Sequence, residues 1–144
     1  MPVRTIPRSS NSITGRFSRG PGKGSIGFES TLERDFVRLM ALDPNVTDIE
    51  DQPVRIEFED DKGRPHHYTP DYLVQRKGAA PLLAEIKPTK FLTPDLEPKF
   101  AAARRYAAEQ GWVFEVWTER EIRTKRLNKI RLLERSRRET WRTP

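Results

Sequence analysis

Three side chains stand at a spacing that could do chemistry: Asp71, Glu85 and Lys87. The segments Tyr68-Thr69-Pro70-Asp71-Tyr72-Leu73 and Leu83-Ala84-Glu85-Ile86-Lys87 both read as strand. Alternation puts Glu85 and Lys87 on one side of their strand and Ile86 on the other. A hairpin register that sets Asp71 opposite Glu85 brings two carboxylates and an ammonium together. Neighbouring carboxylates repel, so one of them keeps its proton unless a cation sits between them. A hard divalent ion such as Mg²⁺, with Mn²⁺ as a substitute, takes this kind of site, using one or two carboxylates, water and a substrate phosphate. Its chemistry there is to polarise a phosphodiester and to acidify an attacking water. Lys87 could hold or deprotonate that water, or neutralise charge in the transition state.

Each residue also has a plain structural alternative. Asp71 follows a proline and could be a strand-edge residue, and Lys87 could be a strand-end lysine facing solvent. Glu85 is harder to explain that way. It lies among Leu82, Leu83, Ala84 and Ile86, and a carboxylate in such surroundings is costly unless paired or metal-bound. His66 and His67 read as surface strand residues, or at most as phosphate contacts.

The elements that position these groups follow from periodicity. Leu32, Phe36, Leu39 and Met40 fall at helical spacing, with Ser30 and Glu33 in the form of a capping box, and Asp43-Pro44-Asn45 stops the helix. After a short apolar stretch at Val46 and Ile49, the alternating Val54, Ile56 and Phe58 mark a first strand. Asp60-Asp61-Lys62-Gly63 turns the chain into a second strand over 66–75, with Asp71 near its middle and Pro70 marking an edge or a distortion. A third strand covers 82–87. A helix over 95–110 follows, ended by Gly111, then a strand through Trp112, Phe114 and Val116. Thr118 and Glu121 open a final helix carrying Ile122, Leu127, Ile130 and Leu133. Short turns make the first three strands antiparallel, and the helical crossover makes the fourth a parallel addition. The expected fold is α/β, a mixed sheet flanked by helices in the order α-β-β-β-α-β-α.

Charge divides the chain in three. The formal net charge is +6, yet residues 26–118 carry 12 basic against 17 acidic side chains. Residues 1–25 carry five basic and no acidic ones, and residues 119–144 carry ten basic and four acidic. We read 1–25 as a disordered basic arm, 26–135 as one domain and 136–144 as a basic tail. Basic ends suit a polyanion, most simply double-stranded DNA. Lys99 and Arg104 on the second helix, and Arg123, Arg126 and Lys129 on the last, are candidate phosphate contacts, against the plain reading of a solvated face. The absence of cysteine excludes disulfides and thiolate sites, and two adjacent histidines make a poor zinc site. No apolar run reaches membrane length and the start lacks a signal-peptide core, so a cytoplasmic location is expected.

Pro70-Asp71 followed by Glu85-Ile86-Lys87 resembles the PD-(D/E)xK motif of the restriction-endonuclease-like superfamily, and the element order resembles that superfamily's core. Further segments are similar to one family. Ser30-Thr31-Leu32-Glu33-Arg34-Asp35-Phe36, Asp51-Gln52-Pro53, Tyr68-Thr69-Pro70-Asp71-Tyr72, Glu85-Ile86-Lys87-Pro88 and the stretch from Gly111 to Glu119 resemble the TnsA family, the endonuclease subunits of heteromeric transposases. The likeness runs from about Gly24 to Leu133 and follows the family's N-terminal catalytic domain. It implies a Mg²⁺-dependent DNA endonuclease in a bacterial or phage-encoded mobile element, cutting the 5′ ends, the non-transferred strands. A DDE-type transposase cuts the 3′ ends, and an ATPase regulator joins through a C-terminal domain beyond the likeness. The resemblance makes Asp71, Glu85 and Glu33 metal ligands and Lys87 the catalytic lysine; for Glu33 the alternative is helix capping alone. Two other readings stay open: a stand-alone phage or repair nuclease of this fold, and a non-catalytic DNA-binding assembly subunit.

Overall fold

The computed structural model describes residues 15–18, 24–129 and 132. The rest of the expected arm, the tail at 136–144, and Ile130 and Leu133 of the last helix lie outside the described residues. Among the described residues, eight strands and three α-helices are laid down in the order β1 (Gly15–Ser18), β2 (Ser25–Phe28), α1 (Thr31–Ala41), β3 (Val46–Asp51), β4 (Ile56–Glu59), β5 (Pro65–Tyr68), β6 (Tyr72–Arg76), β7 (Leu82–Ile86), α2 (Glu97–Gln110), β8 (Val113–Trp117) and α3 (Glu119–Ile122). The expected last helix is interrupted: α3 ends at Ile122, Arg123 and Thr124 bend, and residues 125–129 are helical again.

The central sheet has the order β3-β6-β7-β8. β3 and β7 run antiparallel to β6, and β8 lies parallel to β7. This is the mixed sheet flanked by helices that the pattern implies. β7 is buried along all five residues because it has a strand on each side and a helical layer on each face. One face carries Tyr72, Val74, Leu82, Ala84 and Ile86 against Leu32, Phe36, Val37 and Met40 of α1 and Ile122 of α3. The other carries Leu73 and Leu83 against Ala102, Ala103 and Ala107 of α2. Small alanines let α2 approach the sheet closely, and Gly111, at φ 79, closes that helix in the left-handed conformation that glycine adopts without penalty.

The strands differ from the periodicity reading in three places. Residues 66–75 form two strands rather than one: Pro70 has no amide hydrogen to give a ladder, so β5 ends before it and β6 begins after Asp71. β4 and β5 pair with each other as a separate hairpin, leaving the central sheet. The place beside β6 is taken by β3, whose alternation is hidden by a register shift between Val46 and Asp48 and whose buried residue is Ile49. Last, Gly15–Ser18, within the expected arm, form a strand paired with β2. That hairpin is tied to the body where the Gly27 amide donates to the Asp51 carboxylate at 3.0 Å.

Two expectations follow. Leu83 is fully buried between β7 and α2, so Leu83→Ala should lower stability by about 2–5 kcal/mol in urea unfolding. Asp60 organises the β4–β5 turn, accepting from the amides of Lys62 and Arg64 and from the side chains of Arg64 and His66. These contacts, His66 foremost, hold its carboxyl below the ordinary value of 3.8. The stability they contribute is present above that value and is lost as the pH falls beneath it. The melting-temperature gap between wild type and Asp60→Ala should therefore narrow between about pH 5 and pH 2, and a gap that stays constant would count against this role.

Candidate active site

Asp71 sits where β6 starts, and its backbone is held on both sides. Its amide donates to the Ala84 carbonyl at 3.1 Å, and its carbonyl accepts from Gln52 at 2.8 Å. Tyr72 pairs with Ala84, so the next step of the same register sets Asp71 against Glu85. The Asp71 carboxylate then accepts the Ile86 amide at 2.8 Å, taking over where the backbone ladder stops. Gln52 and Pro53 suggested no chemistry in the sequence. Here Gln52 adopts φ 46, an uncommon conformation for a residue with a Cβ, and its side chain donates to Glu29 at 3.0 Å. Its part is to anchor the backbone of Asp71.

Glu85 and Asp71 are 5% and 3% exposed. Burial, then the adjacent Asp71 carboxylate, pushes the Glu85 carboxyl well above its ordinary value, while Lys99 and Tyr68 act the other way. Lys87 Nζ lies 3.8 Å from Glu85 Oε2. The Lys87 backbone is fixed by its amide, which donates to Trp117 at 3.0 Å and extends the β7–β8 pairing by one residue.

Glu33 comes from the first turn of α1. Ser30 caps that helix by accepting the Glu33 amide at 3.0 Å, as the sequence pattern implies. The Glu33 carboxylate is also engaged: the Tyr72 hydroxyl is 3.3 Å from its Oε1, and the Ser30 hydroxyl is 3.3 Å from its Oε2. Burial, then the charges of Glu33 and Asp71, raise the Tyr72 hydroxyl far above its ordinary range, so it stays a neutral donor; the Gly27 carbonyl accepts from it at 2.8 Å, closer than Glu33.

Glu33, Asp71, Glu85 and Lys87 line one cleft of about 650 Å³. Among the described residues no three acidic or histidine side chains already stand close enough to form a metal cluster. The tight pair is Asp71 with Glu85, and Glu33 shares the cleft from α1. All are hard oxygen donors, and a buried pair of carboxylates that repel each other fits a divalent cation of the Mg²⁺ type.

The cleft includes residues that the sequence reading passed over. Lys90 and Phe91 follow Lys87 in a short 3-10 turn, and Phe91 is 55% exposed. Glu119, at the start of α3, accepts from the Thr89 amide at 2.8 Å and its hydroxyl at 2.6 Å, which pins that turn and holds the Glu119 carboxyl below its ordinary value. The cue in the sequence was the Lys87-Pro88-Thr89 exit from the strand, though its partner 30 residues away could not be read.

The candidate phosphate contacts separate by environment. Arg123 lines the cleft and also pairs with the buried Asp35 at 3.1 Å and with Thr31 at 3.0 Å. Arg126 pairs with Asp43 at 3.3 Å, so both arginines also fasten the C-terminal segment to α1 and its exit. Arg104 pairs with Glu97 on its own helix, and Lys129 is exposed. Lys99 stands apart, because its ammonium reaches Glu85.

Among the described residues no helix is long and apolar enough to cross a membrane. No protein with a curated description matches the chain. A family model described as TnsA-like endonuclease N terminal matches residues 43–119, more than half of the 144 residues, and includes Asp71, Glu85 and Lys87. Glu33 precedes the matched segment. A central mixed sheet carrying Pro70-Asp71 and Glu85-Ile86-Lys87 at adjoining strand ends, together with that match, leads to one statement of kinship: the chain belongs to the TnsA-like endonuclease N-terminal family.

Proposed function

We propose that this chain is a Mg²⁺-dependent DNA endonuclease that cuts the 5′, non-transferred strands at transposon ends within a heteromeric transposase. The observation that carries the reading is the single cleft into which Glu33, Asp71, Glu85 and Lys87 project, in a chain of an endonuclease family. Asp71 and Glu85 would hold the ion and Glu33 would assist. When bound, the ion supplies Lewis acidity to the scissile phosphate and acidifies the attacking water. Lys87 orients that water or receives its proton and offsets the charge that builds on phosphorus. Water adds to phosphorus, the bond to the 3′ oxygen breaks, and the products are a 3′-hydroxyl and a 5′-phosphate. Lys90 and Arg123 at the cleft, with Arg104, Arg126 and Lys129 farther out, would bind the DNA backbone. A DDE-type transposase is the partner that would cut the other strand, and an ATPase regulator is a further member of such an assembly.

The test is Mn²⁺ binding by calorimetry with a short DNA duplex present, for wild type and Asp71→Asn. Asparagine retains an oxygen for the Ile86 amide but lacks the charge, so the fold should survive while binding falls by at least about tenfold. A well-folded wild type that binds no Mn²⁺ overturns the metal-nuclease reading and favours the assembly subunit. Lys90→Ala should reduce the slope of log affinity for duplex DNA against log salt by about 0.9, the effect of one lost phosphate contact. An unchanged slope would remove Lys90 from the DNA path.

A further inference from the structure

We propose that Lys99 is a positioning residue of the cleavage site, setting the Glu85 carboxylate from the α2 side. The inference rests on reading Asp71 and Glu85 as metal-binding carboxylates. Residues alternate along β7, so Glu85 shares a face with Leu83, and that face is covered by α2. A lysine in the first turn of α2 can therefore meet Glu85 from behind the cleft. Lys99 Nζ lies 3.8 Å from Glu85 Oε2, the same oxygen that Lys87 Nζ approaches at 3.8 Å.

Lys99 is held by more than this one ion pair. Its ammonium stands 4.6 Å from the centre of the Tyr68 ring and 5.7 Å from that of Phe100, and its side chain is 23% exposed. A lysine gives up rotamer entropy when fixed; aromatic faces that attract a cation offset part of this. The result is a charge fixed in place before any ligand arrives. Lys99 lines a neighbouring groove of about 380 Å³ with Phe58, Lys62 and Arg64, whereas Lys87 lines the cleft with the carboxylates. The two lysines thus have different tasks. Lys87 can turn towards water and phosphate, and Lys99 stays on Oε2 and keeps the carboxylate oriented while it does so.

Partners of this kind, one step removed from the ion, typically change metal affinity by about 10–100-fold when removed. Lys99→Met in the full chain should therefore weaken Mn²⁺ binding by at least about tenfold with a melting temperature near that of wild type, and Lys99→Arg should recover most of the affinity. Should Lys99→Met fail to fold, Lys99→Gln, which keeps the polarity but not the charge, carries the same expectation. Wild-type or tighter Mn²⁺ binding in the folded variant overturns the inference while leaving the metal site standing. Absence of binding in wild type overturns both.

Discussion

Two carboxylates that repel each other, Asp71 and Glu85, are buried side by side where β6 and β7 leave the core, and most of the surrounding structure can be read as holding them there. Left to themselves they would separate or take up protons. Asp71 is pinned by the Ile86 amide through its side chain and by Gln52 and Ala84 through its backbone. Glu85 is set in the most enclosed strand of the sheet, with the ammonium groups of Lys87 and Lys99 each 3.8 Å from one oxygen. The pair is unfavourable alone and fits a cation well.

The site draws on both faces of the sheet. Tyr72 and Glu33 belong to the α1 side, and Lys99 and Tyr68 to the α2 side; the cleft opens at the strand ends, where the two layers meet. The same ends carry the turn after Lys87, tied down by Glu119, so the loop that borders the cleft is fastened to the start of α3, just past the strand that runs parallel to β7. Arg123 bridges the two interests of the C-terminal segment, with its guanidinium on Asp35 and its position at the cleft.

What could be read from the sequence was what local pattern controls. Glu85 and Lys87 two apart in an apolar run, Asp71 beside a proline, and the helix caps at Ser30 and Thr118 are short-range signals, and the structure has those elements. The strand pairing was harder. Pro70 was recognised as a disturbance, yet that it divides a strand and sends β4 and β5 away as a hairpin depends on β3 competing for the same edge. Lys99 looked like one more cation on a helix surface, because nothing within its neighbourhood in sequence reveals that α2 packs over the face bearing Glu85. Gln52 was opaque for the same reason: its role is expressed through a backbone contact with Asp71, 19 residues away.

The groups that meet in the cleft come from α1, the start of β6, the end of β7 and the start of α3, with the first turn of α2 behind it. No two neighbouring elements contain enough of them to act. Contacts between distant parts of a chain form late in folding, since each must first overcome the entropy of closing its loop. A nascent or partly unfolded chain therefore holds its acids and lysines apart. For a chain of an endonuclease family the topology is a safeguard: the residues of the candidate site gather only with the finished fold and part again when the fold is lost.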